Sequence, residues 1–212
     1  MQQIPRSWPD IIDFLGNYKP KIYYSSITWK PPELGTLKCN IDGASRGNPG
    51  RSAYGFCLRN HKGDLIYAQG EEINECTNIE AEAIAIKEAI YHCVAICLDK
   101  VCIKTDSLIL VKILAGIWEV PWHIAILVSD IKALALQCQV RIQHAYREGN
   151  TLADYMANLA SDREGRLSFS TFTELPRKIL NLEKQLVPNL RIKTKRISQQ
   201  HNIKEGEFSF II

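Results

Sequence analysis

The sequence predicts an α/β fold: a five-stranded mixed sheet, three antiparallel strands followed by two parallel ones, flanked by helices. Three observations carry this. Between residues 36 and 69, three short runs alternate apolar and polar side chains and are separated by turn signals. From residue 78 the apolar spacing changes to that of a long helix. After that helix, short apolar runs alternate with helical segments, so the later strands need crossovers and lie parallel.

Residues 1–35 read as an irregular N-terminal extension. Ile11, Ile12, Phe14 and Leu15 predict one short helix before Pro20, Pro31, Pro32 and Gly35 interrupt regular structure. Trp29 is expected to pin this arm to the domain. Residues 36–163 are the expected domain. Leu37, Cys39 and Ile41 alternate with Lys38 and Asn40 in a first strand, and Gly43 to Gly50 reads as a turn-rich loop. Ala53 to Arg59 predicts a second strand, His61 to Asp64 a hairpin turn, and Leu65 to Gln69 a third strand. Thr77 and Glu80 have capping-box spacing and start a helix over 78–98, with Ile86, Ala89, Ile90, Cys93, Val94 and Cys97 at helical spacing. Val101 to Thr105 predicts a buried strand, and Ser107 to Ala115 a short helix stopped by Gly116. Trp122 to Gln139 predicts another helix, Val140 to His144 or Ala145 a fifth strand, and Asn150 to Asp162 the last core helix. Residues 164–212 form a C-terminal extension, partly helical or disordered. It holds a helix expected over Leu175 to Leu186, an apolar end at Phe208 to Ile212, and a basic stretch at Arg191, Lys193, Lys195 and Arg196. That stretch is read as the solvated face of a tail.

A length of 212 residues suits one domain with extensions, and 46% hydrophobic residues suffice for a sizeable core. The net charge of +3 neither requires nor forbids a nucleic-acid partner, because the local distribution of charge matters more than the sum. No run of about 18 apolar residues occurs, so neither a membrane helix nor a membrane partner is expected. The N-terminus lacks a signal core. An intracellular monomer, nuclear or cytoplasmic, is expected. The seven cysteines include no C-x-x-C pair and read as free, buried thiols rather than a zinc site.

The chemistry-bearing residues are acids in unusual places. Asp42 follows Ile41, and Asp106 follows the apolar run ending at Thr105. Both are expected where a strand stops beside a core, where a carboxylate is costly to ionise without a cation or hydrogen bonds. Each also has a plainer reading, Asp42 as a turn former before Gly43 and Asp106 as a helix N-cap. Glu82 shares a helix face with Ile86, Ala89 and Cys93, the face that should pack on the sheet, whereas Glu80 belongs to the cap. Asp154 lies in the last helix beside Ala153, Ala157 and Ala160, whose small side chains allow close packing. Convergent carboxylates make a hard-oxygen site suited to Mg²⁺. Spacing alone leaves their convergence open.

Four segments carry a resemblance: N-I-D-G-A-S-R-G-N-P-G (40–50), T-N-I-E-A-E (77–82), K-T-D-S (104–107) and R-E-G-N-T-L-A-D (147–154). In this order and spacing the sequence resembles type 1 ribonuclease H, in particular the reverse-transcriptase-like form of plant non-LTR retroelements. The resemblance spans about residues 30–162.

It implies a ribonuclease H-like fold and a metal-dependent endonuclease. Such an enzyme hydrolyses the RNA strand of RNA–DNA hybrids and leaves 5′-phosphate and 3′-hydroxyl ends. It implies that Asp42, Glu82, Asp106 and Asp154 are catalytic and hold two Mg²⁺ ions, with Mn²⁺ as a substitute. Asn48 and Asn78 match positions that contact the hybrid minor groove, where 2′-hydroxyls distinguish RNA from DNA. Gly47 and Gly50 would let the backbone approach the strand. Asn150 matches a family position as a substrate contact, beside its plainer reading as an N-cap. Ile79 replaces a second asparagine common in the family. The loop that carries a catalytic histidine is absent, so His144 reads as structural and Arg147 is the nearest residue that could assist product release. No Lys or Arg lies between Ala115 and Trp122, so the basic protrusion of some relatives is missing; Trp118 and Trp122 read as packing residues. These departures sustain an alternative, a catalytically weak or inactive binding module derived from a retroelement.

Overall fold

A computed structural model describes residues 7–17, 22–179, 189–194 and 209–211. Strands β2 (Leu37–Arg46), β3 (Gly50–Arg59) and β4 (Leu65–Cys76) form an antiparallel meander, after α1 (Trp8–Asn17) and β1 (Ile22–Ile27). Strands β5 (Lys100–Thr105) and β6 (Gln139–His144) add in parallel beside β2. The five expected strands thus stand in the order β4-β3-β2-β5-β6. Two short antiparallel strands extend both edges: β7 (Arg166–Phe169) pairs with β4, and β9 (Ser209–Ile211) with β6. They use the unpaired backbone groups that a sheet edge leaves. Four and three residues are too short for alternation to reveal.

Helix α2 (Asn78–Ala95) starts as its cap predicts. The Thr77 hydroxyl accepts from the Glu80 amide, and the Glu80 carboxylate accepts from the Thr77 amide. Together with α3 (Leu108–Leu114) and α4 (Ala125–Ala135), it covers one face of the sheet. Cys39, Ile41, Phe56 and Ile103 there meet Ile86, Ala89, Leu110 and Ile131. Helix α5 (Thr151–Arg163) covers the opposite face, where Cys57, Leu65 and Ala68 meet Leu152, Met156, Leu175 and Ile179. Close packing on that face depends on missing side chains: a Cβ at Gly55 would overlap the Ala157 nitrogen, and one at Gly70 the Met156 carbonyl oxygen.

The first hairpin is longer than the apolar pattern suggests. The β2–β3 ladder continues to Arg46 and Arg51, so of the expected loop over 43–50 only residues 47–49 form the turn. Over Gly43 to Arg46 the strand carries small and polar side chains of partial or full exposure, so the apolar alternation fades although pairing persists. The N-terminal arm is also more regular than expected: β1 pairs antiparallel with β8 (Asn189–Thr194) in a separate two-stranded sheet. Arg191 and Lys193 therefore belong to a strand, not a floppy tail; Lys195 and Arg196 lie outside the described residues, as do 180–186 of the helix expected over Leu175 to Leu186. The expected helix from Trp122 opens as a 3-10 turn at Trp122–Ile124 before α4. Trp122 is 89% exposed and Trp118 47%, so neither is a packing residue as expected; the Lys112 ammonium lies 4.5 Å above the Trp118 ring. All seven cysteines are free, but only Cys39, Cys57, Cys93 and Cys102 are buried, and Cys97 is exposed. No helix among the described residues is long and apolar enough to cross a membrane.

Candidate active site

The acids gather where two parallel strands part. Pairing between β2 and β5 ends at Asn40 and Lys104; Asp42 and Asp106 each stand two residues beyond that last pair. Asp106 follows the end of β5 as expected. Asp42 does not sit at a strand end: it lies within β2, opposite Gly55 of β3. Gly43 therefore serves packing rather than a turn. A Cβ there would overlap the Ala81 carbonyl carbon and the Glu82 nitrogen, so its absence seats the first turns of α2 directly on β2. That contact brings Glu82 to the gap.

Carboxylate oxygens of Asp42, Glu82 and Asp106 all lie within 4.8 Å of one another. Asp42 is 5% exposed and Glu82 9%. Burial, then the negative charges of Asp106 and Asp154, push the Asp42 carboxyl from 3.8 up to about 8, against a lowering pull from Arg147. Burial, then Asp42 and Asp106, likewise raise Glu82 well above the ordinary carboxylate range, while a hydrogen bond from Thr105 opposes them. Three acids held this close repel one another, and the pull of Arg147 on Asp42 is smaller than the effects that oppose it. A divalent cation with oxygen preference would relieve both the repulsion and the lost hydration, so the donor set fits the expected metal.

Asp154 stands at the rim. Its charge reaches Asp42, but its own Oδ1 accepts from the Arg147 guanidinium at 3.0 Å, and its side chain is one-third exposed. Arg147 is the more open partner, in the 3-10 turn Arg147–Gly149 that joins β6 to α5. His144 makes an edge-on contact with Tyr146, ring centroids 5.5 Å apart.

Asn48 and Asn78 flank the site together. The Asn48 side-chain Oδ1 accepts from the Asn78 backbone N–H at 2.8 Å, and the Asn78 side-chain Oδ1 accepts from the Ser45 N–H at 3.0 Å. Both side chains are exposed and oriented by these bonds. Gly47, at φ +115°, and Asn48, at φ 41°, make the turn that sets this geometry. Gly50 has an internal reason: a Cβ there would overlap the Arg46 carbonyl oxygen across the turn.

Asn150 corrects the expectation of a substrate contact. Its side chain is 0% exposed; it donates from Nδ2 to the Ile41 carbonyl at 2.7 Å and accepts at Oδ1 from Asn40 Nδ2 at 2.9 Å. It makes no side-chain capping bond either, because strand β2 has claimed its amide. Two residues escaped sequence reasoning. Thr105, fully buried, donates to Glu82 Oε2 at 3.2 Å and accepts from the Ser107 N–H at 3.0 Å, so it orients one acid and the turn carrying another. Asn40 is the other, noted only as a polar residue of an alternating strand but 1% exposed.

Comparison with known proteins agrees with this arrangement. Residues 40–160 match the reverse transcriptase-like family. An Arabidopsis thaliana protein named "Putative ribonuclease H protein" is 33% identical over 151 residues, which cover 71% of this chain but 24% of that protein, so the chain spans about a quarter of its length. The ribonuclease HI of Halobacterium salinarum is 32% identical over 143 residues, covering 63% of this chain and 68% of that protein. The crystal structure of the ribonuclease H1 of that archaeon superposes with a TM-score of 0.58 at 30% identity, over 60% of this chain and 98% of that one. LC11 ribonuclease H1, solved in complex with an RNA/DNA hybrid, superposes at 0.57 with 25% identity, over 60% of this chain and 97% of that one. The matched segment includes all four acids and the sheet that gathers three of them, and this chain belongs to the reverse transcriptase-like family, on the fold of type 1 ribonuclease H.

Proposed function

We propose that this chain is a ribonuclease H, a metal-dependent endonuclease that hydrolyses the RNA strand of RNA–DNA hybrids and acts as a monomer. The observation that carries the proposal is the meeting of Asp42, Glu82 and Asp106 within 4.8 Å at the parting of β2 and β5, with Asp154 and Arg147 at the rim. The three clustered carboxylates would hold the cation, and Asp154, once free of Arg147, supplies the fourth. Two Mg²⁺ ions, or Mn²⁺ in their place, would supply water activation and stabilisation of the leaving oxygen. The chain's own residues provide the rest. Arg147 presents a cation beside the acids, where a substrate phosphate must pass. Asn48 and Asn78 have their oxygens held by backbone N–H groups, which leaves their NH₂ groups to donate to 2′-hydroxyl and base-edge acceptors in the hybrid minor groove. The products are 5′-phosphate and 3′-hydroxyl ends.

The test is hybrid cleavage with Mg²⁺ or Mn²⁺ by the wild type and by Asp42→Asn. Metal-dependent cutting of the RNA strand that disappears in the variant supports the enzyme. One observation favours a second reading, a binding module of retroelement origin: β6 and α5 are joined by the short turn Arg147–Gly149, without the histidine-bearing loop. Hybrid binding without cutting by the wild type would establish that reading and overturn the first.

A further inference from the structure

We propose that Trp29, outside the matched segment 40–160, is a positioning residue that holds the start of α5, and with it Arg147 and Asp154, in register with Asp42 through a buried relay of two amides. The relay has three links. The Trp29 indole Nε1–H donates to Asn40 Oδ1 at 2.9 Å. Asn40 Nδ2 donates to Asn150 Oδ1 at 2.9 Å. Asn150 Nδ2 donates to the carbonyl of Ile41, the residue before Asp42, at 2.7 Å. From Asn150 the backbone continues to both rim residues: its N–H donates to the Arg147 carbonyl at 2.9 Å, and its carbonyl accepts from the Asp154 N–H at 3.1 Å.

The direction of the relay is set at its ends. An amide side chain has an acceptor and a donor end of nearly equal shape, and either could face a neighbour. An indole N–H can only donate, and a backbone carbonyl can only accept. With Trp29 at one end and Ile41 at the other, a single orientation of both amides satisfies every link. Arg59 reinforces it, since its guanidinium points an N–H at the same Asn40 oxygen at 3.4 Å and stacks 3.9 Å over the Trp29 ring. Both amides are essentially without solvent, so a broken link has no water to replace it. The arm before the matched segment thereby becomes part of the site.

The experiment compares the full chain with Trp29→Phe, which keeps an aromatic ring for Arg59 and removes the N–H. Backbone hydrogen exchange is followed over 150–154 and over α2, and hybrid cleavage is measured as kcat and KM. Exchange over 150–154 is expected to quicken about tenfold while α2 is unchanged, and kcat to fall about tenfold at unchanged KM. Unchanged exchange over 150–154, equal loosening of α2, or an unchanged kcat would each overturn the relay. The cleavage arm rests on the proposed nuclease activity. If the wild type does not cut, that reading fails, and the exchange arm alone decides the relay. Should Trp29→Phe not fold, benzothienylalanine at position 29, with sulfur in place of the N–H and the indole outline kept, is judged on the same measurements.

Discussion

At Asp42, burial and neighbouring charge act in the same direction, and this sets a pH dependence. Its carboxyl is held near 8 in the folded protein against 3.8 ordinarily. Between those values the folded chain keeps a proton that the unfolded chain has released. The stability this contributes is complete at low pH and is lost as pH rises through about 8. Metal-free protein is therefore expected to lose Tm from pH 5 to pH 9 in a thermal melt, and Asp42→Asn to flatten that slope and raise Tm at pH 8. Added Mg²⁺ should restore the wild type at pH 8 and leave Asp42→Asn nearly unmoved; a wild type whose Tm rises with pH would contradict the electrostatic account. Arg147 gives a second expectation. Arg147→Ala should weaken hybrid binding and reduce the slope of log K against log salt by about 1, as the loss of one phosphate contact requires. At this scale Asp42 and Asp106 stood out by following apolar runs, the set of four acids came from the motif resemblance, and Thr105 gave no signal. A threonine ending a strand leaves no local mark that it holds a glutamate 23 residues earlier in the chain.

Between elements, glycine decides how closely α2 and α5 approach the sheet. Gly43 lets the α2 backbone rest on β2 at Ala81 and Glu82, and Gly55 and Gly70 do the same for α5. Gly43→Ala must push α2 outward. We expect it to cost about 1–3 kcal/mol in denaturant unfolding and to lower kcat well beyond the loss of folded protein, because Glu82 moves with the helix. Full activity in Gly43→Ala would show that the site tolerates such a shift. Sequence spacing identified these helices and the capping box of α2. It misread Gly43 as part of a turn because a strand that outlasts its buried stretch no longer alternates. Asp42 was placed at a strand end for the same reason, since β2 runs on past its alternating stretch, and Asn40, on the polar side of that stretch, is covered by Asn150 at the start of α5.

Across the whole molecule, the segments outside 36–163 complete what the core leaves open. Strands β7 and β9 pair with the two sheet edges, and Leu175 and Ile179 close the apolar cluster beneath α5. Leu175, 3% exposed, packs with Leu152 and Met156 there. Leu175→Ala is expected to cost about 2–5 kcal/mol, read from the shift in denaturant midpoint; a cost below about 0.5 kcal/mol, typical of surface positions, would show that the C-terminal segment does not seal the core. The β1–β8 sheet joins the two extensions to each other, a pairing across more than 160 residues that no local pattern could announce.

The resemblance of four motifs named the four acids; what the sequence determined by itself is the order and kind of the core elements and the cap of α2. These follow from spacings of two, three or four residues, which the chain carries locally. What only the tertiary structure decided is which acids meet, that Asn150 braces the strand instead of touching substrate, and that short strands from the extensions take up the sheet edges. Each of those depends on contacts between distant segments, whose distances are set by how the helices seat on the sheet.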